Sequence, residues 1–279
     1  MNRPASRSAR RADLHTHTTL SDGRLTPEEL MSLAAERGLA AIAITDHDTL
    51  DALPLARATR SPVELVPGLE MSTSHQGMDL HLLGYFVDSE HPELRERLAQ
   101  FRTDRTERAR RIIARLAELG APLDEQRVWE RAARGVGGRP HVAGALIEAG
   151  HATDMEDAFR RFLAMGAPAY VARPAFSPAE AIRLIHSAGG ISVIAHPGAA
   201  VAESTIERLA EAGLGGIEVW HPQHGVATVR RLQALARRLG LIETGGSDFH
   251  GSGRSVELGD VWVPLSVLAQ LKEAAGVSG

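Results

Sequence analysis

The chain has 279 residues, 31 basic against 35 acidic side chains, a net charge of −4 with histidine neutral, and no cysteine. That length buries one large core, or one domain carrying a sizeable insertion. Without cysteine, disulfides, thiolate metal sites and cysteine nucleophiles are excluded, and the acidic balance argues against a broad cationic footprint for duplex nucleic acid. Lys272 is the only lysine, so the positive charge is almost all arginine. Biased genome composition explains that excess most simply, although guanidinium groups also hold phosphate bidentately. No apolar run reaches signal-peptide or membrane-span length, so the expected compartment is the cytoplasm, with no membrane partner and no obligate protein partner, and residues 1–11 a mobile tail.

In chain order, short apolar runs predict strands at 12–15, 39–45, 63–72, 80–87, 190–196, 215–220 and 240–247. Amphipathic patterns predict helices at 26–37, opened by Thr26 and Pro27 with Glu28 and Glu29 in the first turn, and at 178–188, 203–212 and 226–239. Such alternation implies a mostly parallel sheet wrapped by helices, in a barrel or an open sheet. Residues 92–171 interrupt it. "ELRERLAQFRTDRTERARRIIARLAELG" reads as one long charged helix or two shorter ones, and short Gly-punctuated helical segments follow. We read this stretch as a helical insertion within a domain formed by 12–91 and 172–279.

The ionisable residues fall at strand ends. His15 and His17 follow the first strand, Asp46 and His47 end the second, Glu70 lies near the end of the third, His196 ends the fifth, and Asp248 and His250 end the last. In a parallel α/β fold these ends share one face, where ligands collect. His81 begins its strand and is set apart by this argument. Taken singly, each residue reads as a turn former, a cap or a solvated strand end. Together they form "HxH", "DH", "AHP" and "DxH" strings that a core does not need. An N/O donor set without sulfur suits hydrolytic zinc, manganese or iron(II), and in an extended "HxH" both rings lie on one side. About nine donors exceed the needs of one ion, so two or three divalent ions sharing bridging carboxylates are expected, with Glu70 the best bridge.

"DLHTHTTLSDG", "AITDHDT", "PGLEMS", "HLLGY", "IAHPG" and "GGSDFH", in this order, resemble the PHP (polymerase and histidinol phosphatase) family of metal-dependent phosphoesterases. The resemblance spans roughly residues 12–90 and 174–260. It implies a distorted (β/α)7 barrel with a trinuclear site held by His15, His17, Asp22, His47, Glu70, His81, His196, Asp248 and His250. "SDG" after "HxH", with a helical insertion after "HxLGY", resembles the subgroup that hydrolyses 3′,5′-nucleoside bisphosphates and AMP and trims short RNA from the 5′ end.

The expected reaction is hydrolysis of a nucleotide phosphomonoester, such as pAp or AMP, by a metal-bridging hydroxide. Asp46, His196 and His250 are the candidate catalytic residues, although orienting an imidazole or capping a helix is the favoured reading for Asp46 and Asp48, with a general-acid role for one of them the alternative. In the family the "GRPHVA" stretch faces the metals, so Arg139 and His141 are candidate phosphate contacts, with "RPH" as a simple helix start the competing reading. Arg173 and His224 are further candidates, and His221 is taken as incidental. "RTDRTERARR" reads as a solvated helix face, with a track for single-stranded RNA as the alternative. Histidinol phosphate is the alternative small substrate, and a non-catalytic metal-binding module is the alternative class.

Overall fold

The computed structural model describes residues 10–75, 77–131, 137–251 and 256–277, and for Arg131 the backbone alone. The strands are β1 (Arg11–Asp13), β2 (Ala41–Ile44), β3 (Glu64–His75), β4 (Met78–Tyr85), β5 (Ile191–Ile194), β6 (Gly216–Trp220), β7 (Ile242–Gly245) and β8 (Val263–Pro264). The helices are α1 (Pro27–Glu36), α2 (Ala52–Ala58), α3 (Pro92–Glu118), α4 (Glu125–Arg131), α5 (Arg139–Glu148), α6 (Met155–Ala158), α7 (Pro178–Ser187), α8 (Glu203–Glu211), α9 (Val226–Leu239) and α10 (Leu265–Ala274); a π-helical turn, Phe159–Leu163, continues α6. Among the described residues no helix is long and apolar enough to cross a membrane.

All eight strands belong to one sheet, ordered β7-β6-β5-β4-β3-β2-β1-β8. β1 pairs with β8 at its start, while just beyond it Leu14 N–H donates to Gly245 O at 3.4 Å and Thr16 bridges Phe249. The sheet therefore nearly closes, giving the expected distorted α/β barrel with an eighth strand added to the seven. β8 was invisible as a run of alternating side chains because it is two residues long. Two other differences matter. Arg11, assigned to the tail, opens β1, and its carbonyl accepts Ala40 N–H at 2.8 Å; residues 1–9 lie outside the described residues. No helix separates β3 from β4, which form an antiparallel hairpin pairing Ser72 with His81 and Glu70 with Leu83. β4 thus runs against β3 and β5, and its beginning lies where the parallel strands end.

The helix starts follow their caps. The Thr26 hydroxyl accepts Glu29 N–H while Glu29 returns to Thr26 N–H, and Ser177 and Glu180 repeat the exchange at α7. α2 and α10 have no side-chain cap, which removes the usual start signal. The sheet interior packs through Leu14, Ala43, Val66, Leu83, Tyr85 and Val193. A layer between sheet and helices includes Leu30, Ile42, Leu69, Leu82, Ile182 and Leu232. α3 is one continuous helix shared by two cores. Leu94 and Phe101, in its first half, join the layer against the sheet, whereas Ile112 and Leu116, in its second, join a separate cluster with Val128, Val142, Leu146 and Leu163.

Closure depends on small residues at the β7–β1 junction. A Cβ at Gly246 would lie 2.4 Å from His15 N and 2.5 Å from His15 Cβ, closer than side chains approach. Gly246→Ala is expected to destabilise the fold by about 1–3 kcal/mol, as overpacking does, and to displace His15; thermal unfolding together with bound-metal analysis checks both effects.

Candidate metal centre

The strand ends deliver a dense set of nitrogen and oxygen donors to one mouth of the barrel. His15 and His17, two residues apart beyond β1, present their Nε2 atoms 3.2 Å from each other. Glu70 on β3 stands between them and the other side of the mouth. Its Oε2 is 3.2 Å from His15 Nε2, His17 Nε2 and His47 Nδ1, and its Oε1 is 2.7 Å from His81 Nδ1 and 3.0 Å from His196 Nε2. Asp248 Oδ1 is 3.3 Å from His15 Nε2 and 3.1 Å from His17 Nε2, while Asp22 Oδ1 is 3.2 Å from His250 Nε2. Three overlapping groups have donor atoms within 4.8 Å of one another: His17, Asp22, His47 and His250; His15, His17, Glu70 and Asp248; His47, Glu70 and His81. His81 converges with the rest because the antiparallel course of β4 brings its start to this mouth, the feature that an all-parallel reading lacks. His196 (φ 26°) and Asp248 (φ 51°) hold left-handed backbone that non-glycine residues rarely adopt, strain typical of functional positions.

The donor set fits divalent metal. His15, His17 and Glu70 are fully buried, and the buried His47 Nδ1 has no hydrogen-bond partner among the described residues even though Glu70 Oε2 lies 3.2 Å away. Burial holds the His47 pKa down, to about 3, overriding the Glu70 and Asp22 carboxylates. A neutral imidazole and an ionised carboxylate, both with lone pairs available, suit a shared cation. His17 goes the other way: burial alone would lower its pKa, but hydrogen bonds to Asp248 and Glu70 outweigh that and raise it to about 10. For Glu70, Asp22 and Asp248, burial would favour protonation, yet the surrounding imidazoles hold all three well below the usual carboxylate range.

Asp46 is bound entirely to the loop between His17 and Asp22. It accepts Thr18 N–H at 2.7 Å and Thr18 Oγ1–H at 2.6 Å, together with the Ser21 hydroxyl. This geometry makes it a brace for that loop. Asp48 (φ 53°) does not cap α2, whose N-cap is Asp51; it accepts Ser72 N–H at 2.7 Å and the Arg105 Nε–H at 2.9 Å.

A cleft of about 170 Å³ opens beside Asp22, His47 and His81 and is lined across from them by Arg105, Arg108, Arg139 and Arg173. Arg105 and Arg108 come from "RTDRTERARR", and the reading of that stretch as wholly solvated was mistaken. Arg108 is 7 % exposed, donates from Nε to Val171 O at 2.7 Å, and has a buried NH2 without a partner among the described residues. Its signal was concealed because α3 crosses from one core to the other, so its inward face changes partner along its length. Arg139 binds Asp79 at 2.6 Å; Arg173 Nε lies 3.3 Å from the same carboxylate but is not aligned for a hydrogen bond, and its NH1 also lacks a partner among the described residues. His141 sits in the first turn of α5, where its Nδ1 accepts Gly138 N–H at 3.2 Å, as a helix start requires.

The two histidines after β6 exchange the places expected of them. His224 is turned into the loops, its Nδ1 2.9 Å from Val219 O and its Nε2 accepting Gly198 N–H at 3.2 Å. His221 is buried against the cluster, with Nε2 3.4 Å from Asp248 Oδ2 and its ring 5.2 Å from that of His196. Glu218, which the sequence reading passed over, is fully buried beside His15 and His196.

Imidazoles and carboxylates packed this closely, facing arginines instead of an apolar wall, suit a hydrolase that acts on phosphate esters with the help of divalent ions. Comparison with known proteins agrees. A model of the PHP domain matches residues 13–91. The 5′-3′ exoribonuclease Rnm of Salmonella typhimurium is 38% identical, over 91% of this chain and 90% of its own length. The 3′,5′-nucleoside bisphosphate phosphatase of Chromobacterium violaceum is 37% identical, over 86% and 87%. A solved structure from Bifidobacterium adolescentis, provisionally named a metal-dependent phosphoesterase, superposes with a TM-score of 0.90 at 30% identity, over 96% of both chains. The chain belongs to the PHP family and is a metal-dependent phosphoesterase.

A metal ion held by His17 would compete with protons for it. Its raised pKa means that the metal-free protein holds that proton at neutral pH, so metal binding there would release it. Affinity is expected to increase as pH rises toward about 10, and calorimetric titrations in buffers of different ionisation enthalpy should show net proton release at pH 7. In the metal-free protein the sign is opposite: the same group stabilises the fold fully below its ordinary pKa of 6.5 and loses that contribution as pH rises through about 10.

Proposed function

We propose that the enzyme hydrolyses the phosphomonoester of a nucleotide that carries a second phosphate, such as a 3′,5′-nucleoside bisphosphate. The observation that supports this most is the charge of the cleft: among the described residues, four guanidinium groups, from Arg105, Arg108, Arg139 and Arg173, have Asp48 and Asp79 as their ion-pair partners. A surplus of cations, two of them with N–H groups that find no partner among the described residues, suits a multiply charged anion. At about 170 Å³ the cleft is smaller than the ~300–1,000 Å³ pockets that enclose whole ligands, so it takes the phosphate-bearing end and leaves the base toward solvent.

His15, His17, Asp22, His47, Glu70, His81, His196, Asp248 and His250 are the residues that would hold two or three divalent ions, with manganese, zinc and iron the candidates by donor type. When bound, such ions supply Lewis-acid charge that neutralises phosphate and lowers the pKa of water. The chain's own contribution is placement. Arg108 and Arg173 line the cleft, Asp79 holds Arg139, and Asp48 fixes Arg105 against Ser72. Asp46 keeps the Thr18–Ser21 loop in place between two ligands. His250, with Nδ1 2.8 Å from Asp248 O and Nε2 facing Asp22, is fixed as a donor to the cluster, not as a mobile acid.

The second reading, a 5′-phosphorylated end of short RNA, is favoured by the relative of that activity and uses the same open cleft. Phosphate release from pAp, AMP, histidinol phosphate, a ribose cyclic phosphodiester and 5′-phosphorylated oligonucleotides distinguishes these. We expect pAp to give the highest kcat/KM; preference for histidinol phosphate, or no hydrolysis by metal-replete protein, would overturn the proposal. Arg108→Met should lower kcat/KM for pAp on the order of 10- to 100-fold, as for loss of a charge-assisted hydrogen bond, chiefly through KM. Asp248→Ala should abolish activity and reduce bound metal.

A further inference from the structure

β6 contributes nothing to the three donor groups, yet it ends beneath them. Two of its neighbours in the cluster have strained backbone, and strain persists only where surrounding bonds over-determine it. Those bonds lead back to the same short segment, Glu218 to His221.

We propose that Glu218 and His221 are positioning residues, which set the tautomer of His15 and anchor His196 and Asp248 without themselves binding metal. Glu218 uses both oxygens. Oε1 lies 2.9 Å from His15 Nδ1, and Oε2 accepts the His196 backbone N–H at 2.7 Å. An ionised carboxylate only accepts, so His15 carries a hydrogen on Nδ1, which leaves Nε2, facing Glu70 and Asp248, as the nitrogen for a metal ion. The second bond pins His196 in its left-handed conformation. His221 does the same for Asp248. Its Nδ1 accepts Gln223 N–H at 3.2 Å, which leaves Nε2–H to donate to Asp248 Oδ2, 3.4 Å away. The other Asp248 oxygen, Oδ1, is then directed at His15 and His17. One strand end thereby orients ligands from three others: the segments after β1, after β5 and after β7. Carboxylate–imidazole pairs of this kind raise ligand basicity and fix ring direction.

The inference rests on the cluster holding divalent ions. Metal analysis of the wild-type protein tests that separately, because a wild type without metal refutes the site and not the role of β6. With a metal-binding wild type, Glu218→Gln keeps size and shape but removes the charge. Chelator competition should show affinity weakened by about 10- to 100-fold with metal stoichiometry unchanged, and the cobalt(II)-substituted protein should show altered visible absorption bands. Far-UV circular dichroism in chelator confirms that the variant is folded. His221→Gln, which retains a donor, should restore affinity that His221→Leu loses. Wild-type affinity and spectrum in Glu218→Gln would overturn the role of Glu218, and loss of a full metal equivalent in His221→Gln would make His221 a ligand instead. Long-range proton–nitrogen correlation spectra of the zinc-loaded wild type need no variant. They should show His15 protonated at Nδ1, and an Nε2–H tautomer would refute the proposal.

Discussion

A fully buried carboxylate surrounded by five imidazoles is the constraint around which this molecule is organised. Glu70 lies within 3.2 Å of ring nitrogens from His15, His17, His47, His81 and His196, which come from four separate parts of the chain. Ionised groups out of water must be matched by opposite charge and hydrogen bonds, or they cost several kcal/mol each. No single strand could supply the match. The barrel does so because its strand ends form a ring, and because the β3–β4 hairpin reverses one strand and adds His81 to that ring. The same requirement explains why neighbouring residues are spent on bracing: Asp46 on the loop before Asp22, Asp48 on Arg105, and Glu218 on His15 and His196.

What the sequence disclosed was local. "HxH" at the end of an apolar run, "DH" and "DxH" at others, and capping boxes at Thr26 and Ser177 are signals confined to a few residues, and the strands and helices that carry them lie close to where they were expected. What it concealed depends on distant partners. Glu218 sits in "GGIEVW", where an acidic residue in a short strand ordinarily faces solvent; its burial is intelligible only once β1 and β5 stand beside β6. His221 and His224 are three residues apart in a loop, and no periodicity tells which of them turns inward. Arg105 and Arg108 looked like members of a solvated charge run. The turns of α3 that carry them lie between its two apolar clusters, so a hydrophobic pattern was absent where their inward face mattered most.

The family relation and the site geometry bear on different questions. The relation defines the chemistry, since this chain and its phosphoesterase relatives align over nearly their whole lengths. The geometry bears on selectivity. Donors on the barrel side are fixed by strands and by buried bonds, whereas the arginines across the cleft come from α3, α5 and the segment before α7. The two walls of the cleft therefore rest on supports of different origin.

α3 joins those supports. Its first half is embedded in the layer that covers the sheet and its second half in the core of the insertion, with Arg105 and Arg108 between them. A helix of 27 residues is about 40 Å long and stiff over that length. The width of the cleft is accordingly set by the seating of a rod and not by the conformation of a loop. Substitutions in the second of these cores would reset the spacing between the arginines and the donor cluster while leaving every donor untouched. Such an arrangement makes the width of the cleft a property of packing at a distance, adjusted as by a lever.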